Sequence, residues 1–331
     1  MKILIAHSER IPATHYGGTE RVVWSLGKAL RELGHEPVFL LPPGSSCPFA
    51  PVLHPDPHRP LADQIPPDVE LAHFHYPAPE IEQSKLPTVF TIHGNVNDGG
   101  FLPRNSIFVS RDHAMRHGAE AYVHNGLDWS AYPPPRLKGR RMWYHFLGKA
   151  AWRVKNVKGA IDLVRRLPGE KLYVLGGNRL NISMGFRFTL TRRARFFGKV
   201  DDATKGRLLD SSKGLIFPVR WHEPFGLAII ESLYYGCPVF GTPYGSLPEL
   251  VGPELGYLSA SLSELSRAAA QAGQYAPWVC HEYARERFSA RVMAAAYLRY
   301  YAEALAGRPL NARTPSPLSP ATPRFLPWID N

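Results

Sequence analysis

The feature that most restricts the fold is a repeated alternation of short apolar runs with helix-period segments, punctuated by glycine. Ile3 to Ala6 is an apolar run too short for a helix. It leads into a loop holding Gly17 and Gly18, then a helical pattern over Glu20 to Leu33 that stops at Gly34, then a second run at Pro37 to Leu41. Such a β-α-β unit closes as a parallel sheet with helices on its faces, and further short strands are expected at Leu71 to His75, Thr88 to Ile92 and Ile107 to Val109. The alternation resumes at Trp143 to Leu147 and continues through a helix at Lys158 to Leu167, a strand at Lys171 to Leu175 and a helix at Asp202 to Ser211. A strand at Gly214 to Phe217, a helix at Phe225 to Tyr235 and a strand at Pro238 to Gly241 follow, with closing helices at Leu262 to Ala272 and Ala290 to Leu305.

Between the halves lies Tyr132-Pro-Pro-Pro-Arg136, a linker composition. With 331 residues the chain holds two ordinary domains. The expected division is 1–137, 138–287, a closing helix at 288–306 packing back on the first domain, and a Pro-rich irregular tail at 307–331.

Hydrophobic residues make up 44% and charged residues 20%, and no apolar run reaches membrane-spanning length, so a water-soluble globular protein is expected. The opening run breaks at Ser8-Glu9-Arg10 and reads as a buried strand instead of a leader, which makes the cytoplasm the default compartment. Cys47, Cys237 and Cys280 have unrelated spacings that suggest neither disulfides nor a metal cluster. The sequence contains no Asp-x-Asp, His73 and His75 lack further ligands at recognisable spacing, and no metal or cofactor is expected. A formal charge of +11 points to an anionic partner, either phosphorylated ligand, membrane surface or nucleic acid. The clusters Lys138, Arg140, Arg141 and Arg192, Arg193, Arg195 carry no nucleic-acid signature and read as solvated surface charge.

The segment from Trp221 to Gly252 carries the chemistry. Pro224 keeps Glu223 out of the helical region, so a helix beginning near Phe225 would present the amides of Phe225, Gly226 and Leu227 at its positive end, a site for phosphate or sugar hydroxyls. Glu231 lies about 9 Å further along the axis, so the two carboxylates address different parts of one extended ligand. The plainer alternative is a capping glutamate and a solvent-facing one, but Glu231 sits within Leu-Ala-Ile-Ile-Glu-Ser-Leu, where an unpaired carboxylate is costly.

Glu223-Pro-Phe-Gly-Leu-Ala-Ile-Ile-Glu231, with Gly236-Cys-Pro-Val and Gly245-Ser-Leu-Pro-Glu249, resembles the E-x7-E signature of retaining glycosyltransferases of family 4. Gly17-Gly18-Thr-Glu, Thr91-Ile-His93-Gly94, His124-Asn-Gly126-Leu-Asp128 and Phe197-Gly198-Lys-Val agree in order along the chain. The resemblance implies the α/β GT-B fold, two Rossmann-like doubly wound domains facing a central cleft. It implies a metal-independent, retaining transfer of sugar from a nucleotide-diphosphate sugar, UDP- or GDP-linked, to a sugar, lipid-linked or small-molecule acceptor.

By the same resemblance, Gly17 and Gly18 approach the donor diphosphate, the alternative being a tight turn. His93 bonds the donor sugar, the alternative being a structural histidine. Lys149 stands where the family has arginine, and Lys155 or Lys158, with Lys155 favoured, joins it in neutralising the leaving group. Glu223 orients the donor sugar or steadies charge at its ring, and Glu231 holds the ribose hydroxyls. Glu249 contacts the nucleotide or only braces its loop. The short first half, Lys149 and the Pro-rich tail depart from the family pattern. A catalytically silent nucleotide-sugar-binding protein is the alternative. Peripheral contact with the anionic inner face of a membrane is compatible with either, and nucleic acid is not expected as a partner.

Overall fold

The computed structural model describes residues 1–12, 17–81, 84–97, 99–182, 184, 186–319 and 323–329. It divides into two compact units, Met1–Trp129 with Phe288–Thr322, and Ser130–Arg287 with Pro323–Asn331. The first unit runs through β1 (Lys2–Ala6), α1 (Gly18–Glu32), β2 (Glu36–Leu40), β3 (Val52–Leu53), β4 (Leu71–Phe74), β5 (Thr88–Ile92), β6 (Ser106–Phe108) and α2 (Arg111–Arg116). The second holds β7 (Trp143–Leu147), α3 (Val157–Arg165), β8 (Leu172–Leu175), β9 (Leu180–Asn181), β10 (Arg187–Phe188), β11 (Ala194–Phe196), α4 (Asp202–Asp210) and β12 (Ser212–Phe217). It continues with α5 (Leu227–Tyr234), β13 (Val239–Gly241), α6 (Leu247–Leu250), β14 (Gly256–Leu258), α7 (Leu262–Ala270) and α8 (Pro277–Arg287), after which α9 (Ala290–Leu305) belongs to the first unit.

Each unit is built on a six-stranded parallel sheet, ordered β3-β2-β1-β4-β5-β6 in the first and β11-β8-β7-β12-β13-β14 in the second. This is the α/β architecture expected from the alternation of runs. The central strands are buried on both faces, which is why they read as short unbroken apolar runs. Among the described residues, an antiparallel hairpin, β9–β10, departs from parallel pairing, and the sequence reading did not anticipate it.

The first boundary falls at Trp129/Ser130 instead of 137/138, because the prolyl segment already packs in the second unit. Tyr132 is buried there against Tyr234, ring centroids 5.9 Å apart, and Arg136 pairs with Asp210 at 2.6 Å. The tail is irregular but held down. In the first unit Asn311 is 1% exposed, donating to the carbonyls of Arg104 and Ser106 and accepting from the amides of Glu120 and Ala121. In the second, Ile329 bonds Ala260 and Leu262 through its backbone, and Trp328 packs on the core under the sheet.

A buried histidine fastens each unit. His73 on β4 bonds Tyr301 of α9 and Thr91 of β5, both at 2.7 Å. His145 on β7 bonds Ser212 at 2.6 Å and Ser232 of α5 at 2.8 Å. Both rings are 0% exposed, and burial pushes each pKa down to about 3. In the unfolded chain they titrate near 6.5, so their contribution is complete above that pH and is lost as pH falls toward 3. By pH 5 each should cost about 2 kcal/mol, a large share of a domain's stability. Urea midpoints should therefore drop steeply between pH 7.5 and 5, and His145→Gln should flatten the dependence. Parallel wild-type and variant curves would contradict this.

Candidate active site

Open α/β sheets hold ligands beyond the carboxyl ends of their strands, where the strand order reverses. In the second unit that point lies between β7 and β12, and the residues there are Gly148 and Lys149 after β7 and residues 218–226 after β12.

Glu223 is fixed from its backbone outward. It forms a one-residue parallel bridge with Gly245, whose φ is 66° and where a Cβ would fall 2.3 Å from the backbone nitrogen and oxygen of Glu223, so a side chain does not fit. Ser246 completes the clamp, its amide donating to the carbonyl of Glu223 at 2.9 Å and its hydroxyl to that of Phe225 at 2.6 Å. The residue is only 6% exposed, and its Oε2 accepts from Lys155 Nζ at 2.5 Å and from Trp221 Nε1 at 2.8 Å.

Lys155 reaches this position through its neighbour. Asn156 adopts the left-handed conformation at φ 54°, caps α3 by accepting from the amide of Gly159 at 3.1 Å, and donates to the carbonyl of Pro218 at 3.0 Å. One asparagine thus ties the start of α3 to the end of β12. The lysine amine then lies 4.9 Å over Trp221 and 5.3 Å over Phe217. Lys158 is 81% exposed and pairs with Asp162 one turn on, so the geometry sets Lys155, not Lys158, against Glu223. Lys149 is exposed with its amine 5.4 Å over Trp152, whose ring meets Trp221 edge-on at 5.7 Å.

The expected helix start and its open amides are corrected here. The helix begins at Leu227 instead of Phe225, because Gly226 is left-handed at φ 85° and interrupts it. The amides at its open end are those of Leu227 and Ala228, since Ile229 donates back to Gly226 at 2.9 Å, and Phe225 is a 2% exposed anchor. Glu231 is 0% exposed, neither solvent-facing nor unpaired. Its Oε1 accepts from Tyr132 at 2.8 Å and pairs with the equally enclosed Lys205, whose amine is also 3.1 Å from Asp202.

Glu249 lies in the first turn of α6, and Gly17, Gly18 and His93 belong to the first unit. Gly17 is the N-cap of α1 and Gly18 its first residue. The Glu20 carboxyl group folds over this helix start, within 2.3 Å of where a Cβ on Gly17 would lie. His93 follows β5, is partly exposed, and its Nε2 lies 2.9 Å from His75 Nδ1, with the two rings stacked. Burial, then the neighbouring His7, lowers its pKa to about 3, so the ring is neutral at physiological pH.

Sequence reasoning missed Trp152, Asn156, Trp221, Arg153 and Arg220. The backbone amide of Arg220 donates to Val154 at 2.7 Å, and both guanidinium groups lie over Phe325 of the tail, at 5.3 Å for Arg153 and 5.5 Å for Arg220. The usable signal was two tryptophans within three residues of Lys155 and Glu223. Nothing in the sequence marks a left-handed asparagine or a contact with a tail so far along the chain.

Residues 143–272 match the family described as glycosyl transferases group 1. The D-rhamnosyltransferase WbpZ of Pseudomonas aeruginosa is 28% identical over 37% of this chain, and the match covers 34% of WbpZ, so the chain spans about a third of that relative's length. The phosphatidyl-myo-inositol mannosyltransferase of Mycolicibacterium smegmatis is 25% identical over 67% of this chain and 72% of its own. The crystal structure of AviGT4, a glycosyltransferase involved in avilamycin A biosynthesis, superposes with a TM-score of 0.73 at 20% identity, covering 92% of this chain and 98% of that one. That likeness shows the fold, two parallel-sheet α/β units of the GT-B glycosyltransferase type.

Removing one partner of a buried ion pair strands the other charge at a cost of about 3 kcal/mol. Lys155→Ala should therefore lower the urea-derived stability by that order, whereas Lys158→Ala on the solvated face should change it by less than about 0.5 kcal/mol. Equal losses would show that the Lys155 pair is no more structural than a surface one.

Proposed function

We propose that this protein is a glycosyltransferase that moves a sugar from a nucleotide-diphosphate sugar, UDP- or GDP-linked, to an acceptor hydroxyl. The observation that carries the reading is the Glu223–Lys155 contact of 2.5 Å at the strand-order reversal, within the segment matching glycosyl transferases group 1. The Glu223 to Glu231 spacing supports placement in family 4 and transfer with retention.

In this reading the anomeric C–O bond to the diphosphate breaks on the face where the acceptor oxygen attacks. The acceptor proton passes to the departing phosphate oxygen. Charge on that oxygen must be met by groups already in place. Lys155 is half of a neutral pair with Glu223, so Lys149, the amides at the start of α5 and the neighbouring Arg153 and Arg220 add the positive field. Glu223 orients the donor sugar or steadies charge at its ring. Glu231 is assigned to the ribose hydroxyls, an assignment that requires its sealed carboxylate, held by Tyr132 and Lys205, to open to the nucleotide. The resemblance assigns Gly17 and Gly18 to the diphosphate and His93, a neutral imidazole, to the sugar.

The chain has no Asp-x-Asp, and the reading is metal-independent. Acceptor classes that fit are a sugar, a lipid-linked sugar or a small molecule. The reading places the protein in the cytoplasm and is compatible with peripheral contact at the anionic inner face of a membrane.

The test is thermal stability against UDP-, GDP- and ADP-sugars with and without magnesium, since a ligand that binds the folded state raises the melting temperature. One nucleotide class should give a shift of several degrees that magnesium does not alter. Donor hydrolysis by the wild type and its loss in Glu223→Gln, with the shift retained, would establish donor cleavage at this site. A shift without turnover would favour a silent binding protein, and no shift with any donor would refute the reading.

A further inference from the structure

The β9–β10 hairpin is built inside out. From Leu180 to Leu190 every second residue is apolar, namely Leu180, Ile182, Met184, Phe186, Phe188 and Leu190. In a strand-period segment alternate side chains share a face, and the register pairs Leu180 with Phe188 across the hairpin. All six are exposed, from 38% at Met184 to 80% at Leu190, and they are six of the fourteen large exposed hydrophobics among the described residues. The polar face turns inward. Arg179 and Arg187 place their guanidinium groups 5.9 and 5.3 Å over Phe196 and bond the carbonyls of Thr189, Thr191, Ala194 and Asn178. The hairpin thus spends its arginines on the body of the unit and leaves its apolar side to the outside.

The charge within its own stretch of sequence is of one sign. From Lys171 to Val200 there are seven lysines and arginines and no aspartate or glutamate. Arg192, Arg195 and Lys199 of this stretch are exposed.

We propose that this hairpin is a docking element for an anionic phospholipid bilayer, with the apolar face entering the acyl boundary and the surrounding cations meeting headgroup phosphates. Six exposed apolar side chains gathered on one short hairpin mark an interaction surface. Basic residues beside an apolar face are the pattern that binds anionic membrane surfaces. Two other occupants fit less well. A second copy would bring two strongly cationic stretches together. Single-stranded RNA stacks its bases on aromatic rings, whereas four of these six side chains are aliphatic. The inference does not depend on the transferase reading, because its readout is partitioning and not turnover.

The experiment is co-sedimentation of the full chain with vesicles of phosphatidylcholine, alone or mixed with phosphatidylglycerol. The protein should partition onto the mixed vesicles, and binding should weaken as salt rises. Phe186→Ser with Phe188→Ser should lower the partition coefficient about tenfold or more by removing two buried rings. Arg192→Ser with Lys199→Ser should lower it while leaving the apolar face intact. Circular dichroism and the urea midpoint of each variant should match wild type, since only exposed side chains change. Failure to sediment with the mixed vesicles, or equal partitioning by the Phe variant, would overturn the proposal. So would dimerisation or oligo(U) binding through this face in a protein that ignores vesicles.

Discussion

The second unit is organised around a carboxylate buried at the end of β12. An isolated charge at 6% exposure is untenable without a cation and hydrogen bonds, so the position of Glu223 dictates much of what surrounds it. Lys155 must be delivered to it, which requires the 153–155 turn, which in turn requires Asn156 to bend left-handed and hold Pro218. Trp221 supplies the second hydrogen bond and the ring over which the lysine amine rests. Gly245 must lack a side chain so that the neighbouring loop can grip the backbone of Glu223. Residues far apart in sequence, at 155, 221, 223 and 245, thus answer to one electrostatic constraint.

Glu231 obeys the same rule with a different outcome. It is sealed at 0% exposure and balanced by Lys205 and Tyr132, so its pair joins α4, α5 and the prolyl segment into one body. The Glu223 pair stands at the strand ends where ligands of open sheets bind, beside the exposed Lys149. Two glutamates eight residues apart therefore differ in what they offer a ligand. One is presented at an edge, and the other is held rigid beneath it.

Most of the scaffold was legible because buried parallel strands leave a plain trace. Thr88–Ile92, Trp143–Leu147 and Ala290–Leu305 have the bounds expected from apolar runs and helical spacing. The misses share a physical cause, which is that a local pattern says nothing about long-range partners. Tyr132-Pro-Pro-Pro-Arg136 has the composition of a linker, yet its tyrosine and arginine find partners at 231 and 210 and fold into the second unit. The α5 start moved because the sequence shows that Gly226 is permissive, not that it is left-handed there. In the candidate site the charged residues were visible, whereas the tryptophans, asparagine and tail contacts that orient them were not.

The net charge of +11 also resolves once it is placed. Lys155 and Lys205 are neutralised by Glu223 and Glu231, so the deepest cations contribute nothing to the excess. The stretch 171–200 carries seven positive residues and no negative one, and Arg179 and Arg187 are engaged in stacking on Phe196 and in carbonyl bonds. Guanidinium groups suit that role because they remain charged while packed flat against rings and bonded to backbone oxygens. Their field still reaches the surface, and the side they support is apolar. A stretch that anchors some of its arginines internally, keeps Arg192, Arg195 and Lys199 exposed and leaves its hydrophobic residues uncovered is organised for a boundary between charged and apolar media, a requirement that the nucleotide-sugar reading by itself does not impose.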